Sequence, residues 1–306
     1  MMLLVMFKPR DAERAIVAEV AGTIAEICYL ADFDDRGRRD VLSRADVMLS
    51  RNPGNELRPD EFSLVHNARL IQFLSAGVDH LPVNALPANV PMAKNAGAYA
   101  EPMAEHALAM ALAAAKRLPI EHQNLSRGEF NQFARNKMLR GRICGIFGFG
   151  GIGRATARLM RCVGMRIHAV NRRGASDEKV DWIATPDRLD ELLAAADVLI
   201  ISTPLTRATQ GAIGKRELSL MKEDAILINL ARGEITDEDA LYEHVKAKPR
   251  FTACLDAWWV EPVRHGEFRI NRPFLQLPNV IGSPHNSASV AGSSEVGLRH
   301  ALANCR

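Results

Sequence analysis

The stretch Gly148-Phe149-Gly150-Gly151-Ile152-Gly153 lies between a short apolar run, Ile143 to Phe147, and a helix-compatible segment, Arg154 to Met160. A chain with that order is confined locally to strand, tight turn and helix start. The first glycine permits the turn, the second lets the backbone approach a pyrophosphate, and the third allows close packing of helix on strand. A diphosphate then sits on the unpaired N–H groups of the helix N-terminus. The next apolar run, Met165 to Val170, leads into Asn171-Arg172-Arg173. An acid that binds the ribose 2′-OH of NAD is expected about 20 residues past the turn. Asn171 is neutral there and two arginines follow, which is the arrangement expected for a 2′-phosphate. The reading is NADP, with NAD as the weaker cofactor.

The 306 residues suggest about two domains, and 47% hydrophobic with 25% charged residues is the balance of an ordinary globular chain. A net charge of +3, with its basic residues dispersed, gives no reason to expect nucleic acid. Cys28, Cys144, Cys162, Cys254 and Cys305 show no C-x-x-C spacing. Neither a metal site nor a disulfide framework is expected, and reduced thiols in a cytoplasm fit best. The apolar start, Met1 to Phe7, is too short for a membrane span and has no basic n-region. It reads as a first buried strand.

Short apolar runs alternate with helix-compatible stretches along the chain. In the first third the candidate strands are Leu3–Phe7, Glu26–Leu30, Val47–Ser50, Leu70–Phe73 and Met92–Lys94, with helices over Ala12–Gly22, Arg38–Arg44 and Pro59–Asn67. Ala100 to Arg117 is an alanine-rich helix with Pro119 just past its end. Glu121 to Arg140 is polar and weakly periodic. It reads as an arm whose purpose is subunit contact, with a mobile surface loop as the alternative. From Arg142 the strands resume: Ile143–Phe147, Met165–Val170, Val198–Ser202, Ala225–Asn229, Thr252–Leu255 and Val280–Ser283. This is an α/β pattern of two doubly wound parallel sheets. One is a flavodoxin-like substrate domain, residues 1–96 plus 287–306; the other is a Rossmann dinucleotide-binding domain, residues 97–286. Crossings near residues 97 and 286 are expected to leave a cleft between them. The last segment, Val290 to Arg306, is expected to return as a helix to the first domain.

Three ionisable residues stand just past candidate strand ends: Arg232, Glu261 and His285. In an open parallel sheet such positions converge on one crevice. Arginine offers a planar fork of donors to a carboxylate and its neighbouring carbonyl oxygen. Histidine can deliver and retrieve a proton, and a carboxylate beside it orients the ring and favours its charged form. Those chemistries together serve reversible hydride transfer at a 2-keto or 2-hydroxy carbon. Singly, each residue also reads as a surface, turn or loop residue, so the joint placement carries the inference.

These segments resemble the D-isomer-specific 2-hydroxyacid dehydrogenase family. The matching stretches are the glycine turn, Thr203-Pro204-Leu205-Thr206 with Thr209, Ile228 to Glu234, Leu255-Asp256, Glu261-Pro262 and Ser283-Pro284-His285. Ser75 to Asp79 and Ala104 to Ala107 in the first part match as well. The resemblance implies an NAD(P)-dependent reductase of small 2-keto acids, such as glyoxylate or hydroxypyruvate. Arg232 would bind substrate, His285 would be the acid–base and Glu261 its partner. Ser75, Ala76 and Gly77 would receive the substrate carboxylate, together with Arg232 and His285. Asp256 would hold the nicotinamide carboxamide. Thr203, Pro204, Thr209, Leu230, Ala231 and Ala288 would line the cofactor beside residues 148–153 and 171–173. A homodimer through the 100–140 region is implied, with no nucleic-acid or membrane partner. His106 is expected to be an interior helix histidine. Arg51 reads either as a contact for a second anionic group or as a surface ion pair, the latter preferred. Trp258-Trp259 departs from the single or smaller aromatic usual before the Glu-Pro pair. A formate-type activity is not expected, because members with it carry glutamine in place of Glu261. A dinucleotide-sensing corepressor is the alternative of a different class.

Overall fold

The computed structural model describes residues Met1–Cys305. The chain forms two compact units, Met1–Tyr99 with the residues from Val290 onward, and Ala100–Ser289.

The first unit holds five parallel strands, β1 (Met2–Val5), β2 (Glu26–Tyr29), β3 (Val47–Ser50), β4 (Leu70–Phe73) and β5 (Met92–Ala93), in the order β2-β1-β3-β4-β5. That is the flavodoxin-like order. Side chains alternate across a strand, so each short run feeds two cores. Leu4, Met48 and Ile71 enter one; Leu3, Val5, Val47 and Leu49 enter the other. The C-terminal helix Ser293–Asn304 adds Leu298, Ala301 and Leu302 to the second core, as expected.

One element differs from expectation. Pro59–Asn67 is not an α-helix; the segment holds a 3₁₀ helix, Phe62–Asn67, in which only Val65 is buried. A single buried side chain gives no apolar stripe for a longer helix to bury. Arg51 is a surface ion pair on Glu13 at 2.6 Å, with its guanidinium 4.2 Å above the Phe7 ring.

The second unit holds seven parallel strands: β6 (Ile143–Phe147), β7 (Arg166–Val170), β8 (Trp182–Ala184), β9 (Val198–Ile201), β10 (Ile226–Asn229), β11 (Thr252–Leu255) and β12 (Val280–Gly282). Their order is β12-β11-β10-β9-β6-β7-β8. Every residue of β6, β9 and β10 is buried, the pattern of strands covered on both faces. β8 had no sequence signal, being three residues at the sheet edge. The sheet grows one way through β6, β7 and β8 and the other way from β9 to β12. The switch point between β6 and β9 is where such sheets bind ligands, beyond the carboxyl ends of the strands.

Helix Ala100–Ala115 lies against helix Gly151–Cys162, with Ala100, Ala104 and Ala155 buried together. Small side chains let the two backbones approach. A second helix, Leu118–Ser126, takes up the start of the expected arm, and residues 127–138 continue without regular structure.

Candidate active site

The glycine turn leaves β6 as its sequence demands. Gly148 has φ of 104°, and a Cβ there would lie 2.3 Å from the Thr203 backbone nitrogen. A Cβ on Gly153 would lie 2.4 Å from the Gly148 carbonyl oxygen. At Gly150, by contrast, a Cβ would meet nothing within 4 Å, so the turn is open on that side. Gly150 is also the N-cap of helix Gly151–Cys162, which no side chain caps. An open turn over uncapped N–H groups fits the diphosphate of a dinucleotide. Phe149 and Leu230 are buried, and Ile152 packs beside Ala100, Ala104 and Ala155, so these three offer backbone to a ligand. Thr203 is buried against Gly148. The Thr209 hydroxyl donates to the Pro204 carbonyl at 2.7 Å and accepts from the Thr206 N–H at 2.8 Å, closing that loop.

Asn171 follows β7, the neighbour of β6. Its amide donates to the Ala175 carbonyl at 3.0 Å and accepts from the Arg173 N–H at 2.9 Å. The side chain therefore shapes the turn, and Arg172 and Arg173 are exposed on it.

Arg232, Glu261 and His285 come from the loops after β10, β11 and β12, three consecutive strands of the sheet. Both Glu261 carboxylate oxygens lie 2.8 Å from His285 Nδ1. Nδ1 is thus the donor to the carboxylate, and Nε2 is left for a reactant. Glu261 is buried, and the Trp258 N–H donates to its Oε1 at 2.7 Å. Burial pushes the Glu261 carboxyl up, but His285, the Trp258 N–H and the charge of Arg232 outweigh it and hold it below the usual carboxylate value. Arg232 therefore acts electrostatically on the same carboxylate as His285.

The turn that carries Arg232 is braced by Asn229, fully buried at the end of β10. Its side chain accepts from the Ala231 N–H at 3.0 Å and donates to the Arg232 carbonyl at 2.8 Å. Arg232 Nη1 also donates to the Ala231 carbonyl at 2.7 Å. Sequence reading passed over Asn229, although a polar residue closing an otherwise apolar buried run was a usable sign.

His285 has φ of 50°, a left-handed conformation for a residue with a Cβ. Such a conformation costs about 1–3 kcal/mol and persists only where the surroundings fix it. Asp256 supplies part of that fixing. Its carboxylate is fully buried and accepts from the Ser283 hydroxyl at 2.5 Å, the Asn286 N–H at 3.1 Å and the Ser287 N–H at 3.3 Å. The same carboxylate thus braces the turn that Ala288 continues. His106 is not purely interior: its ring is partly exposed and Nε2 lies 3.0 Å from the Ser283 hydroxyl. Ser75, Ala76 and Gly77 belong to the first unit, just past β4, and the Ser75 carbonyl accepts from the Asn95 N–H at 2.9 Å.

Among the described residues no group of three or more His, Cys, Asp or Glu side chains could hold a metal ion. No helix among them is long and apolar enough to cross a membrane.

Residues 108–287 match the family profile described as D-isomer specific 2-hydroxyacid dehydrogenase, NAD binding domain. The chain is 31% identical over 254 residues to a hydroxypyruvate reductase of Thermotoga maritima, covering 82% of this chain and 80% of that protein. It is 34% identical over 229 residues to a D-3-phosphoglycerate dehydrogenase of Archaeoglobus fulgidus, covering 73% of this chain but 42% of that one. The chain thus spans less than half the length of this second relative. A solved glycerate dehydrogenase related protein of Thermoplasma acidophilum superposes with a TM-score of 0.68 at 28% identity, covering 100% of this chain and 99% of that one.

Proposed function

Because the chain belongs to the D-isomer-specific 2-hydroxyacid dehydrogenase family, we propose that it reduces a small 2-keto acid to the D-2-hydroxy acid, with NADPH as the preferred donor. The observation that carries this reading is the placement of His285 Nδ1 at 2.8 Å from both Glu261 oxygens, with Arg232 on the neighbouring loop. The nicotinamide dinucleotide, when bound, supplies the hydride. Arg232 holds the substrate carboxylate and polarises the adjacent carbonyl. His285 passes a proton from Nε2 to the carbonyl oxygen as it becomes an alkoxide, and takes one back in the oxidative direction. Glu261 keeps the imidazole oriented and offsets its charge.

Small substrates are supported by relatives named hydroxypyruvate reductase and glyoxylate reductase. The preference for NADPH is supported by Asn171, whose neutral side chain serves its own turn, and by Arg172 and Arg173, exposed beside the end of β7. A homodimer through residues 100–140 is supported by exposed apolar side chains on that segment, Phe130 and Phe133 foremost. A cytoplasmic location fits five unpaired cysteines.

Steady-state assays of glyoxylate, hydroxypyruvate and other small 2-keto acids against NADPH and NADH test the reading. Turnover is expected with at least one of them, faster at limiting NADPH than at limiting NADH. The Arg172→Ala, Arg173→Ala double variant should raise the KM for NADPH about tenfold, the loss of roughly 1.5 kcal/mol of charge-assisted hydrogen bonding, and leave NADH little changed. No oxidation of either cofactor with any keto acid would overturn the function. Equal losses for both cofactors would overturn the NADPH preference.

A further inference from the structure

The three candidate catalytic loops meet at one residue that sequence reading set aside as an aromatic departure. Trp258 follows β11 and is 4% exposed. Its backbone N–H donates to Glu261 Oε1 at 2.7 Å. Its indole N–H donates to the Ser283 carbonyl at 2.8 Å, two residues before His285. The peptide joining Trp258 to Trp259 lies directly beneath Gly233, where a Cβ would stand 2.4 Å from the Trp258 carbonyl carbon, and Gly233 is the neighbour of Arg232. The indole is fixed in turn by Phe268, packed edge-on at 5.8 Å between ring centroids.

We infer that Trp258 is a positioning residue for the reaction, holding Glu261 and His285 at bonding distance through its two N–H groups and setting the Arg232 loop by its peptide. The inference rests on the proposed roles of those three residues. His285 sits in a left-handed conformation between two anchors. Asp256 holds the turn on its far side, through the Asn286 and Ser287 N–H groups, and on the near side accepts only from the Ser283 hydroxyl. On the near side the Ser283 carbonyl is held by the indole of Trp258. Without that second anchor the turn can relax, and the imidazole leaves the carboxylate. A phenylalanine at this place has an aromatic ring but no N–H with which to reach Ser283. Buried rings that carry a donor generally spend it on a specific partner; here the partner is the strand end that presents the acid–base.

Trp259 provides a matched control. Its indole N–H donates to the Thr236 carbonyl at 2.8 Å, on the Arg232 loop, and its ring stacks on Phe274, 5.3 Å between centroids, so its indole bonds neither Ser283 nor Glu261. Trp258→Phe and Trp259→Phe remove the same chemical group from adjacent positions. In Trp258→Phe, kcat should fall about tenfold, the scale of a small misplacement of reacting groups, with the dissociation constant for NADPH unchanged. A second readout needs neither cofactor nor turnover: the ¹³C carboxyl titration of Glu261, assigned by its loss in Glu261→Gln. Loss of the His285 contact should move that titration upward toward the ordinary carboxylate value in Trp258→Phe, and leave it in place in Trp259→Phe. Should phenylalanine unfold the chain, benzothienylalanine at position 258 removes only the N–H and decides the same question. An unchanged Glu261 titration in a folded variant, or the same shift in both variants, overturns the inference. A parent protein that reduces no keto acid defeats the proposed function instead, and the titration still decides the role of Trp258.

Discussion

Glu261 is the residue whose chemistry is most exposed to a direct measurement. It is buried, which alone would raise its carboxyl, yet His285, the Trp258 N–H and Arg232 hold it lower than an unfolded glutamate. The sign of the linkage follows. A carboxyl whose folded pKa is depressed binds fewer protons in the folded state, so it stabilises the fold above its unfolded value of about 4.3. That stabilisation is lost as pH falls through the lower folded value. Glu261→Gln keeps an acceptor for Trp258 but loses the charge. Its unfolding free energy should be smaller than the parent's at neutral pH, and the gap should close as pH is brought below the ordinary carboxylate range. Denaturant titrations at a series of pH values measure the gap, and a gap that is constant with pH would remove the charge from the explanation. Turnover should fall roughly 10²-fold or more, the scale of losing a positioned acid–base pair. The dyad itself was legible in the sequence because Glu261 and His285 each follow a recognisable apolar run. What orients it was not: Asp256 and Trp258 hold the turn around His285 from a loop distant in sequence, and such pairings have no local pattern.

At the scale of the element, the turn between β6 and helix Gly151–Cys162 separates structural from functional glycine. Gly148 combines a φ of 104° with a Cβ position 2.3 Å from the Thr203 nitrogen. An alanine there meets backbone that cannot yield, so Gly148→Ala should destabilise by more than the roughly 1–2 kcal/mol of the left-handed conformation alone. Gly150 has extended backbone and empty space around its Cβ. Gly150→Ala should therefore melt with the parent yet bind NADPH at least tenfold more weakly, because the methyl enters the region assigned to the diphosphate. Thermal unfolding and cofactor titration of the two variants separate the cases, and a Gly150→Ala protein that binds as the parent does would place the diphosphate elsewhere. The same turn shows why the sheet was readable from sequence. Ile143–Phe147, Val47–Ser50, Leu70–Phe73 and Thr252–Leu255 are strands with the expected limits, since a strand buried on both faces has to be a mostly apolar run. β8 escaped notice because three residues at a sheet edge need no such run, and Phe62–Asn67 was misread because helix-compatible composition does not by itself provide a face to bury.

For the molecule as a whole, the segment after helix Ala100–Ala115 is the least self-sufficient part of the chain. Phe130 is 79% exposed and Phe133 82%, with Leu118, Leu125 and Met138 also exposed nearby in sequence. Several large apolar side chains exposed on one segment mark an interaction site more often than a bare face. The occupant proposed above is a second copy, since the same segment on two chains can cover itself across a two-fold axis. Burying a phenylalanine contributes roughly 1.5–3 kcal/mol, and a two-fold contact would count each residue twice. Phe130→Ser with Phe133→Ser should then convert a dimer into a monomer at micromolar concentration, measured by sedimentation equilibrium. The glycine turn draws nothing from these side chains, so the monomer should still bind NADPH, and calorimetric titration checks that its fold has survived. A parent protein that sediments as a monomer throughout, or a double variant that stays dimeric, would show that these phenylalanines serve some other contact.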